Sequence, residues 1–594
     1  VNDEMIRRYG LEQAYTGGFK VYTTVPAKLQ YAAQQAVMNN LHSYDERHGY
    51  RGVEANLWLP SEVIETEGKP ETERVESLPV INENAWNIQQ IDEHLAGVKG
   101  FGQISPAIVI AITEQTATIR LKAGTTTGIN WDNLKWARPY INDNKSGRRV
   151  KKVADIFNDG ALIWVRQNSN GGYRLAQAPS PSGALVAINP KNGAIRSIIG
   201  GYSYEFTQYN RATQAKRQVG SNIKPLIYSA ALDNGHTLAS LINDAPIHQW
   251  DKELGVAWRP KNSPPQYDGP IRIRVALAKS KNVVSVRLLK SVGLKNIVNH
   301  IEKFGIPREE IPQNDSLALG SASLTPLQVA SSIATFANGG FLIEPYLIER
   351  IVDADEQVVY LANPMVACKT CEHELADNNN EHYGYPSKGD TSSNPNNPGN
   401  SSDVLTPVIP APQIISTQNA FLVSQAMIST IWGGGDWNNK TGWNGTGFRA
   451  QKLKRRDLSG KTGTTNDAKD TWFSGFNQQV MVTTWVGFDN PSRTLGRTPA
   501  GSEAGARTAQ PAWIEYMETA LGDSEEQNLV IPEGIVSVRI DQQTGLLATK
   551  YDYTSRFEYF IRGTEPSEYA DDDSVPLVID NEGEGKVVEE DELF

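Results

Sequence analysis

Two strand patterns that bracket a long helical stretch set the tightest limit on how this chain can fold. From Ala184 to Ile199, apolar and β-branched runs flank the pair Asn192-Gly193, the signature of strand, turn, strand. Much later, Thr471–Phe476 and Val480–Phe488 alternate apolar residues around Asn477-Gln478 and would extend the same sheet. Helical spacing dominates between them, from Ser221 to about Ala337. An antiparallel sheet joined from distant segments, with helices packed against it, is an α+β architecture, and that is the fold class expected here.

The region before the first hairpin divides in two. Lys20–Val25 is β-branched and aromatic and reads as a strand leading into a helix at Pro26–Leu41, where Leu29, Ala32, Ala33, Ala36, Val37 and Leu41 recur at helical spacing. Residues 60–82 are rich in Glu, Pro and Thr and read as a loop, followed by a short helix around Ala85–Leu95. Between Phe101 and Leu175 the period changes to two: Ile108, Ile110 and Ile112 alternate, and Thr118–Lys122 and Ala161–Val165 form further strands. A small β-barrel or sandwich is expected, with an OB-like barrel one option. Its turns, Asn142–Lys145 and Asn168–Gly172, contain no acid–base constellation, which assigns the module to docking or spacing.

The expected division is therefore a linker region at 1–100 packing on the main domain, an OB-like module at 101–177, the main domain at 178–522, and an extension at 523–594. A low-complexity insertion at 372–412, rich in Asn, Ser and Pro, interrupts the main domain and cannot bury enough apolar surface to order itself. The extension ends in an acidic run from Asp571 to Glu592, the pattern of a solvated end.

Charge narrows the function classes. The net charge of −11 over 594 residues comes without a basic stripe, which argues against nucleic acid as a partner. No apolar run reaches the length of a membrane helix, and Val1-Asn2-Asp3-Glu4 is neither a signal peptide nor an initiation site, so processing or truncation is expected at this end.

Three short motifs carry chemistry. In Gly220-Ser221-Asn222-Ile223-Lys224-Pro225 a serine at a helix start has a lysine three residues on, so a neutral amine could accept the hydroxyl proton. The plainer reading of Ser221 is a helix N-cap. Ser280-Lys281-Asn282 follows 59 residues later, and Ser459–Thr465 contains Lys461-Thr462-Gly463 just before the second strand pair. A copy at Lys440-Thr441-Gly442 lies among turn residues and is rejected. Gly460-Lys461-Thr462 is not the end of a phosphate loop, because Arg455 stands where such a loop needs glycine. No H-E-x-x-H or G-x-S-x-G occurs, which removes zinc peptidases and α/β-hydrolases.

S-x-x-K, S-x-N and K-T-G in this order are the signature of penicillin-binding proteins and β-lactamases. The chain resembles the transpeptidase portion of a class A penicillin-binding protein of the 1a type. Leu317–Gly320, Leu324–Leu327, Phe336–Gly340 and Asp470–Phe476 extend the resemblance over most of Ser182–Leu521. It implies a penicillin-binding-protein/serine β-lactamase-like domain that cross-links peptidoglycan stem peptides through a serine acyl-enzyme and is acylated by β-lactams at Ser221.

By this resemblance Ser221 attacks a D-Ala-D-Ala end and Lys224 accepts its proton, though the identity of the base is disputed among relatives. Ser280 relays the proton to the leaving amine, and Asn282 holds Lys224 and the substrate amide. Lys461, taken as sharing a strand face with the Thr462 and Thr464 hydroxyls, meets the terminal carboxylate, with Gly463 and Thr465 completing the binding strand. The backbone N–H groups of Ser221 and Thr464 form the oxyanion hole. No cofactor or metal is called for. A D,D-carboxypeptidase using the same serine and a non-catalytic scaffold remain as alternatives.

The resemblance also implies the periplasmic side of a bacterial inner membrane and an envelope regulatory protein docking on the OB-like module. The membrane anchor and glycosyltransferase domain of such proteins have no counterpart in this sequence, so glycan polymerisation is not expected of it. In an oxidising periplasm Cys368 and Cys371 are expected as a disulfide across a tight turn, ahead of reduced thiols or a metal, for which His373 would give only a third ligand.

Overall fold

In a computed structural model the two strand patterns meet in one five-stranded antiparallel sheet. Its spatial order is Ile195–Ile199, Ser182–Ile188, Met481–Gly487, Asp470–Phe476, Ser459–Thr464. The structure describes residues 1–58, 85–247, 249–251, 256–368, 408–438, 440–570, 577–579 and 585–587. Pairing is in register across the centre, with Val186 opposite Thr483 and Ser474 opposite Thr483 on its other side. The pleat sends alternate side chains to opposite faces. Val186, Ile188, Trp472 and Trp485 enter one core, while Leu185, Ala187, Phe473 and Val486 enter the other.

Helices cover both faces. The first core takes in Lys224–Asp233, Asn282–Val292, Pro326–Ala337 and Thr417–Trp432, and the second takes in Ala27–His48 and Gln510–Leu521. The helix expected at Pro26–Leu41 runs on to His48. Its apolar periodicity stops at Leu41, but the polar residues beyond it are buried with partners: His42 bonds the Tyr202 hydroxyl at 2.9 Å, Asp45 meets Arg51 at 2.7 Å and His48 meets Glu503 at 3.1 Å. Partnered polar groups can continue a buried helix that hydropathy alone would end. The strand before it, Lys20–Thr23, pairs antiparallel with Ile348–Val352 of the main domain.

The β-rich module is a six-stranded sheet built on Ile104–Ile112, Thr116–Leu121 and Ala161–Gln167. It also recruits Ala55–Asn56, which lie before residue 101 and pair with Ala161–Gln167. Val109, not Ile108, fills its inner core. Ile108 turns outward against Ile91 and Leu95 of the helix Ile88–Gly97, which covers that face. The turn at Asp143 reaches the main domain, where Arg493 grips the Asp143 carboxylate through two nitrogens at 2.8 and 2.7 Å.

The C-terminal extension packs on the main domain through a hairpin of Ile535–Ile540 and Arg556–Ile561. Its Glu558, 1% exposed, accepts from Arg274 at 2.5 Å and lies 3.5 Å from Arg272. Burial opposes the charge on Glu558, and the two guanidinium groups outweigh it, holding the carboxyl below its ordinary range. Within the acidic run, Leu577–Ile579 adds as a parallel strand to Leu241–Asp244, so this end is not wholly solvated. Its apolar Leu-Val-Ile run, with Val578 fully buried, provides the reason. Most of the expected insertion, and with it Cys371, lies outside the described residues. Cys368 is buried and is not a free thiol.

Replacing Glu558 by Ala leaves Arg272 buried with its counter-charge gone, a change that costs roughly 3 kcal/mol or more. Glu558→Ala is expected to lower the thermal unfolding midpoint by several degrees in scanning fluorimetry, with Glu4→Ala, whose partners are surface arginines, as the neutral control. An unchanged midpoint would show that the hairpin does not brace the domain.

Candidate active site

The nucleophile motif sits where a short turn becomes a helix. Gly220–Ile223 form one 3₁₀ turn and Lys224–Asp233 continue as α-helix with Pro225 in the first turn. Ser221 makes no side-chain cap bond, so its half-buried hydroxyl is not used as an N-cap. The turn is wedged between two backbones. Gly220 has φ +52°, and a Cβ there would lie 2.7 Å from the Thr464 carbonyl; a Cβ on Gly320 would lie 1.8 Å from the Gly220 carbonyl. Only glycine admits this approach. It brings the Ser221 turn against the strand that carries Lys461.

Four of the expected side chains converge. Lys224 Nζ donates to the Ser280 carbonyl and to Asn282 Oδ1, each at 2.8 Å, and lies 3.4 Å from Ser280 Oγ. In the neutral form those two oxygens take both N–H donors and leave the lone pair free; in the charged form the third N–H points to Ser280 Oγ. Lys461 Nζ donates to Ser280 Oγ and to the Thr462 carbonyl, both at 2.8 Å. Both lysines are fully buried. Burial, and then the charge of Lys461, push Lys224 well below its ordinary range, and burial brings Lys461 down to about 7.

The strand itself departs from expectation. Adjacent residues of a strand point to opposite faces, so Lys461 cannot share a face with Thr462 and Thr464. It reaches Ser280 from inside the domain, while Thr462 and Thr464 border the groove outside. The Thr462 hydroxyl donates to Thr446 at 2.8 Å, and Thr464 Oγ1 accepts from the Gly505 N–H at 3.0 Å. Thr465 borders the groove too, but its hydroxyl accepts from the Asp470 N–H at 2.9 Å and closes a turn. Gly463 is needed for packing: a Cβ there would lie 2.8 Å from the Val219 carbonyl. The second K-T-G copy, at Lys440, lies in an exposed turn.

A third lysine escaped the motif reading. Lys281, between Ser280 and Asn282, bonds Asp244 at 2.7 Å and Asp268 at 3.0 Å. Asn262 joins in, donating to Asp244 Oδ1 at 2.7 Å and accepting the Asn282 N–H at 2.9 Å. Ser280, at φ +57°, is held in a conformation costly for a non-glycine residue, and this buried brace fixes the turn around it. No spacing links Asp244 and Asn262 to the motif; the middle position of S-x-N was the one available signal.

Ser280 and Asn282, with the buried lysines behind them, open on a groove of about 900 Å³. Ser221, Ser280, Asn282, Thr462 and Thr464 line it, together with Asn144 from the β-rich module. That placement corrects the assignment of the Asn142–Lys145 turn to docking or spacing alone, because a compositional reading cannot see which turn meets the groove.

Comparison with known proteins decides the family. Residues 183–498 match the penicillin binding protein transpeptidase domain, 50–180 the penicillin-binding protein OB-like domain, and 531–574 the C-terminal domain of penicillin-binding protein 1A. The chain is 42% identical over 613 residues to penicillin-binding protein 1A of Escherichia coli, covering 98% of this chain and 68% of that protein. It belongs to the penicillin-binding protein 1A family. The Vibrio cholerae member is 44% identical over 579 residues, 95% of this chain and 65% of its own length, so the chain spans about two thirds of these curated relatives. The crystal structure of penicillin-binding protein 1A from Haemophilus influenzae superposes with a TM-score of 0.78 at 40% identity, covering 96% of this chain and 76% of that one.

Two outcomes follow from the lysines. If Lys224 accepts the Ser221 proton and Lys461 acts charged, the second-order rate of acylation should rise as pH passes the lowered range of Lys224 and fall above about 7 as Lys461 deprotonates. Lys461→Arg keeps its charge throughout and should remove the alkaline limb; a limb that persists would mean another group titrates. Lys281→Met should slow acylation by roughly ten- to a hundred-fold through misplacement of Ser280, and Lys281→Arg should restore most of it. Equal losses in the two variants would reduce Lys281 to a packing role.

Proposed function

We propose that this chain is a serine D,D-transpeptidase that cross-links peptidoglycan stem peptides and is acylated by β-lactams at Ser221. The observation that carries this reading is the convergence of Lys224 and Lys461 on Ser280, with Lys224 opening the helix that continues the Ser221 turn. Ser221 Oγ attacks the carbonyl of the penultimate D-alanine, and its proton passes to Lys224 Nζ. The backbone N–H groups of Ser221 and Thr464 hold the oxyanion. As the C–N bond breaks, the proton leaves Lys224 through Ser280 Oγ to the departing amine, and an ester to Ser221 remains. In the second half the acceptor amine attacks that ester, its proton returns by the same path to Ser221 Oγ, and a new amide forms. The Thr462 and Thr464 hydroxyls meet the substrate carboxylate, with the Lys461 charge behind them.

The parts divide accordingly: 178–522 for chemistry with the insertion at 372–412, 101–177 joined by residues from the 1–100 region as a wall and docking surface, and 523–594 as a brace. Kinship with penicillin-binding protein 1A supports a place at the periplasmic side of an inner membrane, and the β-rich module is the surface we assign to an envelope regulatory protein. No helix among the described residues is long and apolar enough to cross a membrane.

Intact-protein mass spectrometry after mixing with benzylpenicillin tests the nucleophile. One stoichiometric adduct is expected, lost in Ser221→Ala, which removes the nucleophile and no cap. An adduct on the alanine variant would overturn the assignment. With a peptide donor, product formed only by water would make the protein a carboxypeptidase, and absence of any acyl-enzyme would leave a scaffold.

A further inference from the structure

The groove is wider than the catalytic centre requires, and its far wall has a composition of its own. The turn between Tyr140–Asn142 and Lys145–Ser146 is seated on the main domain: Asp143 is gripped by Arg493, accepts from the Tyr140 hydroxyl at 2.9 Å, and offers its carbonyl to the Arg497 N–H at 3.1 Å. Gly496, at φ +72°, lets the two backbones touch, since a Cβ there would lie 1.9 Å from the Asp143 carbonyl. The turn therefore presents Asn144 to the groove in a fixed position.

Beside it stand Arg497 and Asp467, also lining the groove and exposed. The other charged residues bordering the groove are engaged, Lys279 with Asp268 at 2.9 Å and Glu503 with Arg47 at 2.8 Å. The side chains of Asn144, Arg497 and Asp467 have no hydrogen-bond or ion-pair partner among the described residues. One unpartnered cation, one unpartnered anion and an unpartnered amide lining the same groove suit a ligand end that carries both charges.

We propose that Asn144, Arg497 and Asp467 form the acceptor wall of the groove, recognising a peptide end that bears a carboxylate and an amine. The carboxylate is held by Arg497 and the Asn144 amide, and Asp467 draws in the ammonium, which gives its extra proton to bulk water before the neutral amine attacks. This rests on the acyl-transfer reading above, with the β-rich module acting as part of the substrate site.

Partition of one acyl-enzyme tests it, because every acceptor then meets the same donor. The protein is loaded with a D-alanyl thioester donor, and the ratio of aminolysis to hydrolysis is measured with Nα-acetyl-lysine and with its carboxamide. The parent should favour the carboxylate form by roughly five-fold, the scale of an exposed ion pair. Arg497→Ala and Asn144→Ala should each bring the two acceptors toward equality, and Arg497→Lys should keep most of the preference. Asp467→Asn should lower aminolysis with both acceptors alike. Acyl-enzyme formation, read by mass, certifies the fold of each variant. A parent that forms the acyl-enzyme without preferring the carboxylate, or a preference unmoved by Arg497→Ala and Asn144→Ala, overturns the proposal. A parent that forms no acyl-enzyme overturns the acyl-transfer reading itself, and with it the acceptor wall.

Discussion

Two buried lysine amines converge on one serine hydroxyl at the edge of the groove, and the placement of protons there depends on how poorly both tolerate charge together. Lys224 and Lys461 approach Ser280 Oγ at 3.4 and 2.8 Å. Like charges that converge on one hydroxyl repel, and burial disfavours the charge on each. One amine must therefore give up its proton, and the surroundings select Lys224. The acid whose charge would raise its proton affinity, Asp244, is already paired with Lys281 at 2.7 Å. Lys281 thus braces the S-x-N turn, and its positive charge partly offsets the carboxylate of Asp244, which still favours an ammonium at Lys224.

The scaffold serves that constraint by bringing backbones from distant parts of the chain within van der Waals contact. Gly220 against Thr464 and Gly320 against Gly220 make the nucleophile turn a layer between two others. Asp470 ties the same region together from the sheet side. Its carboxylate pairs with Arg217 at 2.7 Å and accepts from the Trp485 indole at 3.0 Å, so the strand before the nucleophile is bonded to the strand next to Lys461. Buried ion pairs add little net stability, but a broken one is costly, which favours a single arrangement.

Local patterns were legible where chemistry and periodicity coincide. The hairpin around Asn192-Gly193, the strand pair at 471–488 and the order of S-x-x-K, S-x-N and K-T-G are all readable without a structure, because each depends on neighbouring residues. What was not readable depends on partners far away in the chain. The helix past Leu41 continues on bonds to Tyr202, Arg51 and Glu503. The brace of Lys281 comes from Asp244 and Asn262, and the inward turn of Lys461 follows from pleat parity that the shared-face reading overlooked. Ile108 faces the covering helix Ile88–Gly97, and Val109, on the face that alternation would leave to solvent, fills the inner core, because both faces of this strand are covered.

The groove separates two requirements that a single domain would have to reconcile. The catalytic amines are buried and locked, whereas the opposite wall is joined by a carboxylate–guanidinium pair that remains 17% and 34% exposed. An exposed pair of this kind contributes at most about 1 kcal/mol, even with good geometry. Seating of the turn then depends on the close backbone contact at Gly496, which holds position without a large energy of its own. Substrate-contacting residues on such a wall can change without disturbing the proton affinities of Lys224 and Lys461, because none of them touches the buried amines. A reaction that must accept two different peptides in succession is served by that arrangement: one rigid centre for bond exchange, and a separately supported surface for the second partner.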